Sequence, residues 1–451
     1  MRFFALFTVL LISCKPATPP SGADELVFQS VHVIAMDSEG VMENQDVVVR
    51  DGRIIALGAT GEVAYGSAAT VIDARGKFLM PGLAEMHAHV PPVDDLEPMK
   101  EVLTLFLSNG ITTIRGMLGH PRHLELREKI NSGEILGPHF YTTGPSFNGN
   151  TVKTREEGAQ RVRDQKEAGY DYLKLHPGLT PETFEAIATT AHEVGIPFAG
   201  HVSFTVGIDR AIEAGYSSID HLDGFVEALV PGIEKIGEEA SGLFGIYSSA
   251  RADTSRISSI IGKLKEKGIW MVPTQALAER WMSPVEGEIF MRAPEMKYMK
   301  KETREAWAKA KADLLENKRY QEEQAEAFIK LRRKIILECQ QSGVGLLLGS
   351  DAPQIFNVPG FSTHHELKYL VDAGLTPYEA LRTGTVNVGT YLGKTDSGII
   401  RTGAVSDLVL LEANPLDDIQ NTQRIAAVMI GKRYIPADSI AVMLKAMEKN
   451  Q

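Results

Sequence analysis

The stretch "LMPGLAEMHAHV", residues 79–90, leads an apolar run into a Pro-Gly step and then sets two histidines two positions apart. Successive residues of a strand point to opposite faces, so in a strand His87 and His89 share one face. Two imidazoles on one face can reach a single metal ion, because neutral histidine is the commonest metal ligand. Alone, such a pair is more often packing or chance, and the rest of the chain must decide.

Working outward, further short apolar runs follow at 112–115, 139–143, 172–175, 197–201, 217–221, 270–274 and 345–351, which with 79–87 makes eight. Amphipathic helical stretches separate them. "PETFEAIATTAHEVG" repeats its apolar residues at helical spacing and ends in glycine. Eight strand–helix units predict an α/β fold, a (β/α)8 TIM barrel over 80–393. The flanks have another character. "LVFQSVHVIAM", "QDVVVRDGRIIALG" with its Asp51-Gly52 turn, "VSDLVLLEANP" and "RIAAVMIGKRYI" are β-rich. Residues 25–79 and 394–440 are therefore expected to form one small β-sandwich domain from both chain ends. Residues 276–341, charged and helix-prone, follow the seventh run and are expected over the active-site face. They are either a lid or a solvated helix pair.

A chain of 451 residues suffices for one large domain and a smaller one. A net charge of −11 argues against nucleic-acid binding, which needs a basic footprint, and leaves a small-molecule substrate open. Residues 1–13 read as a signal peptide, and Leu11-Ile12-Ser13-Cys14 resembles a bacterial lipoprotein box with Cys14 as the lipidated residue. Residues 14–24 read as a tether. The expected location is the bacterial cell envelope, with the chain lipid-anchored to a membrane. The other cysteine, Cys339, lies in a helical pattern and is expected to be a buried filler.

Active sites of such barrels lie at the C-terminal ends of the strands. Of twelve histidines, His87, His89, His201 and His221 stand at or near a strand end, and Asp351 ends the eighth run. Their matching levels favour a metal site. Lys174 lies between Leu173 and Leu175, which by parity face the outer helices, so Lys174 points inward. A buried ammonium is costly, so the amine is either paired with an interior carboxylate or neutral. A neutral amine can add carbon dioxide, and the resulting carbamate can bridge two metal ions.

The segments "MPGLAEMHAHV", "GITTIRG", "YDYLKLHPGLTPETF", "PFAGHV", "SSIDHLDG", "LLLGSDAP" and the tail from "HHELKYL" to "NPLDDI" resemble the amidohydrolase superfamily, in its imidazolonepropionase- and prolidase-like branch. The resemblance implies two divalent metal ions, with zinc favoured for this ligand set. It implies that His87 and His89 hold one ion, His201 and His221 the other, and an N6-carboxylated Lys174 bridges them. Asp351 then ligates the first ion and carries the proton. The expected reaction is hydrolysis of an amide-like C–N bond by a metal-activated hydroxide. A dipeptide of Xaa-Pro type or an N-acyl amino acid is the first substrate class, and a cyclic amide or lactone the alternative. An anchored binding protein with a degenerate site is the alternative of another class. A mononuclear enzyme with unmodified Lys174 also stays open, as does oligomer formation. The chain departs from the family at Glu85, where an aspartate is usual, and at Gly116, where an acid is frequent. Arg115 either holds a substrate carboxylate or pairs with one inside the barrel. His176 either contacts substrate or starts a loop. Glu85 and His364 are expected to support the ligands, and His139, at the start of its run, to serve stability.

Overall fold

The structure, a computed structural model, describes residues 24–449. The signal-peptide reading and Cys14 lie outside the described residues, and no described helix is long and apolar enough to cross a membrane.

Both chain ends build one mixed sheet of eight strands. The N-terminal part supplies β1 (Glu25–Val33), β2 (Met42–Arg50), β3 (Arg53–Ala59), β4 (Thr70–Asp73) and β5 (Phe78–Pro81). Seven parallel strands follow: β6 (Leu83–Ala88), β7 (Ile111–Gly116), β8 (His139–Thr142), β9 (Leu173–Leu175), β10 (Phe198–Gly200), β11 (Ser218–Asp220) and β12 (Trp270–Val272). The chain then returns to the first sheet as β13 (Leu408–Leu411), β14 (Ile425–Ile430) and β15 (Arg433–Pro436). The two ends meet where β5 pairs antiparallel with β13, Met80 opposite Val409. Val31, Val33, Val47, Leu79, Leu408 and Leu410 form the core of this unit.

The expected first barrel run, 79–87, is therefore two strands. Residues 79–81 belong to the terminal sheet, and the barrel strand begins after Gly82. Close packing enforces that break, because a Cβ at Gly82 would lie 2.2 Å from Thr112 Oγ1.

The parallel strands pair in the order β6-β7-β8 and β9-β10-β11-β12. Parallel bridges Thr143 to Tyr172 and Phe147 to Leu175 join the two groups. The eighth run closes the ring through isolated bridges, Leu346 to Met271 on one side and Ala352 to Ala88 on the other, not as a regular strand. This cyclic pairing is the connectivity that a (β/α)8 barrel requires.

Local sequence explains the elements. The helix Pro181–Val194 opens with Thr180 capping Thr183 N–H and with Pro in its first turn, and it stops at left-handed Gly195. Leu173 and Leu175 join Phe184 and Ile187 of that helix in the main core. Each fully buried aliphatic side chain contributes about 2 kcal/mol. Lys174, between the two leucines, is turned to the opposite face and is wholly buried.

Residues 276–341 contain the helices Lys301–Leu315 and Glu322–Ser342. Arg332, from the second, is wholly buried and donates to the carbonyls of His221 (2.6 Å) and Pro273 (2.7 Å). The second helix thus props the loops after β11 and β12. Cys339 is buried on this helix with its thiol pushed up to about 12 by burial, as a filler should be.

Candidate active site

His87, on β6, and His221, just past β11, bring their ring nitrogens together with a carboxylate oxygen of Asp351, all within 4.8 Å of one another. All three side chains are buried. His89 Nε2 lies 3.0 Å from Asp351 Oδ1, and Lys174 Nζ lies 3.4 Å from His87 Nε2. His201 packs its ring 4.4 Å from that of His221, and His176 its ring 5.0 Å from that of His201. The six residues expected as ligands thus occupy one cluster, with His176 at its edge.

The backbone is bent to achieve this. Ten described non-glycine residues have positive φ, and His221, Leu222, Phe244, Thr274 and Asp351 are five of them. Each such residue costs roughly 1–2 kcal/mol and persists only where packing enforces it.

Two partners that sequence reasoning missed orient imidazoles, and a third carboxylate lies beside His87. Asp223 Oδ2 sits 2.9 Å from His201 Nδ1, and Thr274 Oγ1 2.9 Å from His221 Nδ1. Asp220 Oδ2 is 2.9 Å from His87 Nδ1, at ion-pair distance though off the hydrogen-bonding direction. The segment "SSIDHLDG" carried the signal, an acid on each side of His221. Holding one ring nitrogen leaves the other directed inward, the arrangement that metal-binding histidines use.

His89 Nε2, His221 Nε2 and Asp351 Oδ1 are buried without a hydrogen-bond partner among the described residues. Buried polar atoms are normally satisfied, so open ones at the His87, His221 and Asp351 group fit a bound cation. Nitrogen and carboxylate donors of this kind suit zinc and similar divalent ions.

Electrostatics agree with that fit. Burial, then the Lys174 charge, hold the His87 imidazole well below its usual range, and likewise that of His201. Burial, followed by neighbouring histidines, does the same for His221. The same burial puts His89 at about 3 and His176 at about 2. All are neutral, hence available as donors, at pH 7. Burial drives Lys174 down to about 8 against the pull of Asp220 and Asp351, so its neutral amine is within reach. Burial raises the Asp351 carboxyl well above the ordinary range, with Lys174 opposing.

Glu85 is wholly buried and accepts from His87 N–H (3.1 Å), Ser350 N–H (2.7 Å), Ser350 Oγ (2.7 Å) and Thr363 Oγ1 (2.9 Å). It ties β6 to the residue before Asp351 and to the helix Phe361–Asp372. Burial pushes its carboxyl up to about 7 in spite of these bonds. The longer acid has found hydroxyl partners across the barrel. At Gly116 packing decides, because a Cβ there would lie 2.8 Å from Phe140 Cε2.

Two expected residues lie elsewhere. Arg115 is wholly buried, with Nε on the Met86 carbonyl (2.8 Å), Nη1 on Ser218 Oγ (3.0 Å) and Tyr391 Oη (2.8 Å), and Nη2 3.3 Å from Asp220 Oδ1. It therefore pairs inside the barrel and does not face substrate. His364 bonds Thr422 Oγ1 (2.9 Å) and the Asn109 carbonyl (3.1 Å), and makes no bond to the cluster. Its place on the helix turns it toward the 419–423 turn, while neighbouring Thr363 reaches Glu85. His139 Nε2 meets Asp407 Oδ2 at 2.9 Å and links the start of β8 to the loop before β13.

Comparison with known proteins places this arrangement. Over 428 residues the chain is 25% identical to ochratoxinase of Aspergillus niger, covering 86% of this chain and 81% of that protein. Enamidase of Eubacterium barkeri is 26% identical over 222 residues, 44% of this chain and 57% of its own. Among solved structures, a prolidase-like protein from Bifidobacterium longum superposes with a TM-score of 0.70 at 21% identity, covering 94% of this chain and 99% of its own. Bottromycin amidohydrolase superposes with a TM-score of 0.71 at 22% identity, covering 94% and 91%. Both show the same α/β fold. The family model for the Amidohydrolase family matches residues 78–433, which span the ring of strands and the return into the terminal sheet, and the chain belongs to that family.

Proposed function

We propose that this protein is a metal-dependent hydrolase of amide-like C–N bonds, acting on a dipeptide of Xaa-Pro type or an N-acyl amino acid. The observation that carries the reading is the convergence of buried donor atoms from His87, His221 and Asp351 within 4.8 Å of one another, beside His89 and Lys174. Membership of the Amidohydrolase family supports the bond class, and prolidase-like structural neighbours favour the dipeptide among substrates.

In this reading His87, His89, His201, His221 and Asp351, together with an N6-carboxylated Lys174, would hold two divalent ions, with zinc favoured. The ions, when bound, polarise the substrate carbonyl and lower the pKa of water. Asp351 accepts the proton of the attacking water and delivers it to the leaving nitrogen. Asp223 and Thr274 keep the His201 and His221 imidazoles in the required tautomers. Cys14 carries the lipid anchor, which labelled fatty-acid incorporation lost in Cys14→Ser would test.

The deciding experiment is a hydrolysis screen across dipeptides, N-acyl amino acids and lactones, with metal content measured on the same sample. Two ions per chain and turnover of an open-chain amide are expected. A metal-free active enzyme would refute metal dependence, and turnover of lactones alone would shift the substrate to the cyclic class.

A further inference from the structure

Beside the cluster lies a chamber of about 730 Å³. It shares walls with the candidate active site. Val202 and Pro177, which line it, directly follow His201 and His176, and Asp223, also in its lining, holds the His201 ring. Phe244 lines the chamber too, and its ring stacks 5.2 Å from that of His221 and 6.1 Å from that of His201. The other wall is drawn from residues 225–256, a segment that no motif assigns.

The turn carrying Phe244 is built under constraint. Phe244 holds φ 55° and ψ 23°, a region that a bulky residue enters only when its surroundings enforce it. Gly242 and Gly245, close on either side, also have positive φ. A Cβ at Gly245 would lie 2.9 Å from Val226 Cγ1 and 3.3 Å from Glu227 Cδ, so the glycine lets the turn pass close to the Glu227 carboxyl.

Six of the eight charged residues lining the chamber are acidic, and the two arginines are exposed. Asp209 is paired with Lys263 and Glu239 with Arg319, while Glu234 and Glu238 stand in solvent. Asp223 is engaged by His201 and the Val202 and Gly224 amides. Glu227 differs from all of these. Its Oε2 is buried without a hydrogen-bond partner among the described residues. Burial, and then Asp223, push its carboxyl up to about 8.

We propose that this chamber is the specificity pocket for one half of the amide substrate: it takes an apolar group bearing a free ammonium, with Glu227 receiving the ammonium and Phe244 forming the side that stacks on the His201 and His221 rings. Val202, Val206, Ile208 and Leu243 supply the apolar lining. The inference rests on the amide-hydrolase reading and selects, within it, substrates with a free amino group over N-acylated ones.

The test uses the metal-loaded full chain, wild type and Glu227→Gln, with an apolar Xaa-Pro dipeptide and its N-acetyl derivative. Binding of isoamylamine and of its neutral counterpart isoamyl alcohol is measured by calorimetry on the same samples. The wild type is expected to favour the free dipeptide by roughly tenfold or more in kcat/KM, carried in KM. Glu227→Gln should collapse that ratio toward one and weaken isoamylamine, but not isoamyl alcohol, by a similar factor. Glu227→Asp, which keeps the charge, should restore part of the preference. Equal use of both substrates by the wild type, or a preference that survives Glu227→Gln, overturns the proposal while leaving amide hydrolysis standing. If neither substrate is cut, the dipeptide reading falls. Isoamylamine binding that depends on Glu227 still supports the pocket in that case, and binding indifferent to Glu227 overturns it.

Discussion

Two buried polar assemblies share the interior of this ring of strands, and they are finished differently. Around Arg115, the guanidinium is matched to Met86, Ser218, Tyr391 and Asp220, with the rings of Tyr172 and Tyr391 each 5.5 Å from its carbon. Around His87, buried atoms of His89, His221 and Asp351 have no hydrogen-bond partner among the described residues. Asp220 belongs to both, with Oδ1 toward Arg115 and Oδ2 toward His87. The contrast teaches how to tell buried polarity that holds a fold from buried polarity that awaits a ligand. The first gives every guanidinium nitrogen a partner, and the second leaves buried donor atoms open.

The strongest way to break the contrast is at the open assembly. Asp351→Asn should lower kcat/KM by about 10³-fold with little change in thermal stability, checked by steady-state kinetics and a melting curve. Lys174→Ala should lose most bound metal together with activity. Normal metal content and turnover in that variant would remove the bridging role. At the closed assembly the outcome should invert. Arg115→Met leaves Asp220 buried without its partner and should cost roughly 3–5 kcal/mol in urea unfolding, with any activity loss following from misplaced His87.

Glu85 tests the border between the two kinds. Its four accepted hydrogen bonds are structural in form but fix the strand ends carrying His87 and Asp351. Glu85→Gln should reduce metal affinity by roughly 10–100-fold, read by competition with a chelator. The smallest effect belongs to His139, on a partly exposed pair. Its hydrogen bond to Asp407 raises the imidazole above its usual 6.5. The stabilisation is therefore complete below that value and is lost as the pH rises through the higher folded value. With the His139 side chain 48% exposed, solvent screening limits it to about 1 kcal/mol. His139→Ala should lower stability at pH 5 and leave it unchanged at pH 9.

Much of this was legible before folding. Seven of the eight apolar runs contain a regular parallel strand, because apolar segments bounded by amphipathic helices have few other solutions. Strand parity turned Lys174 inward between two core leucines, and strand-end positions singled out His87, His89, His201, His221 and Asp351. Less legible were the partners of those residues. Asp223 and Thr274 reach His201 and His221 through irregular backbone, with Thr274 and His221 both at positive φ, where strand parity no longer applies. Arg115 stood at a strand end and still turned into the interior, since four acceptors waited there. His364 sits on a helix and presents its ring to Thr422 and Asn109, a face that the sequence position alone does not specify.

The sequence by itself determined the periodicity, hence the ring of strands, the face each strand residue takes and the residue types at the strand ends. Tertiary structure alone decided which donor atoms are satisfied and which stay open, that Gly82 divides the first run, and that residues 225–256 wall a chamber beside the histidines. The physical reason is range. Strand periodicity is a local property of neighbouring residues, while hydrogen-bond saturation and cavity shape arise from groups that meet only when distant segments pack.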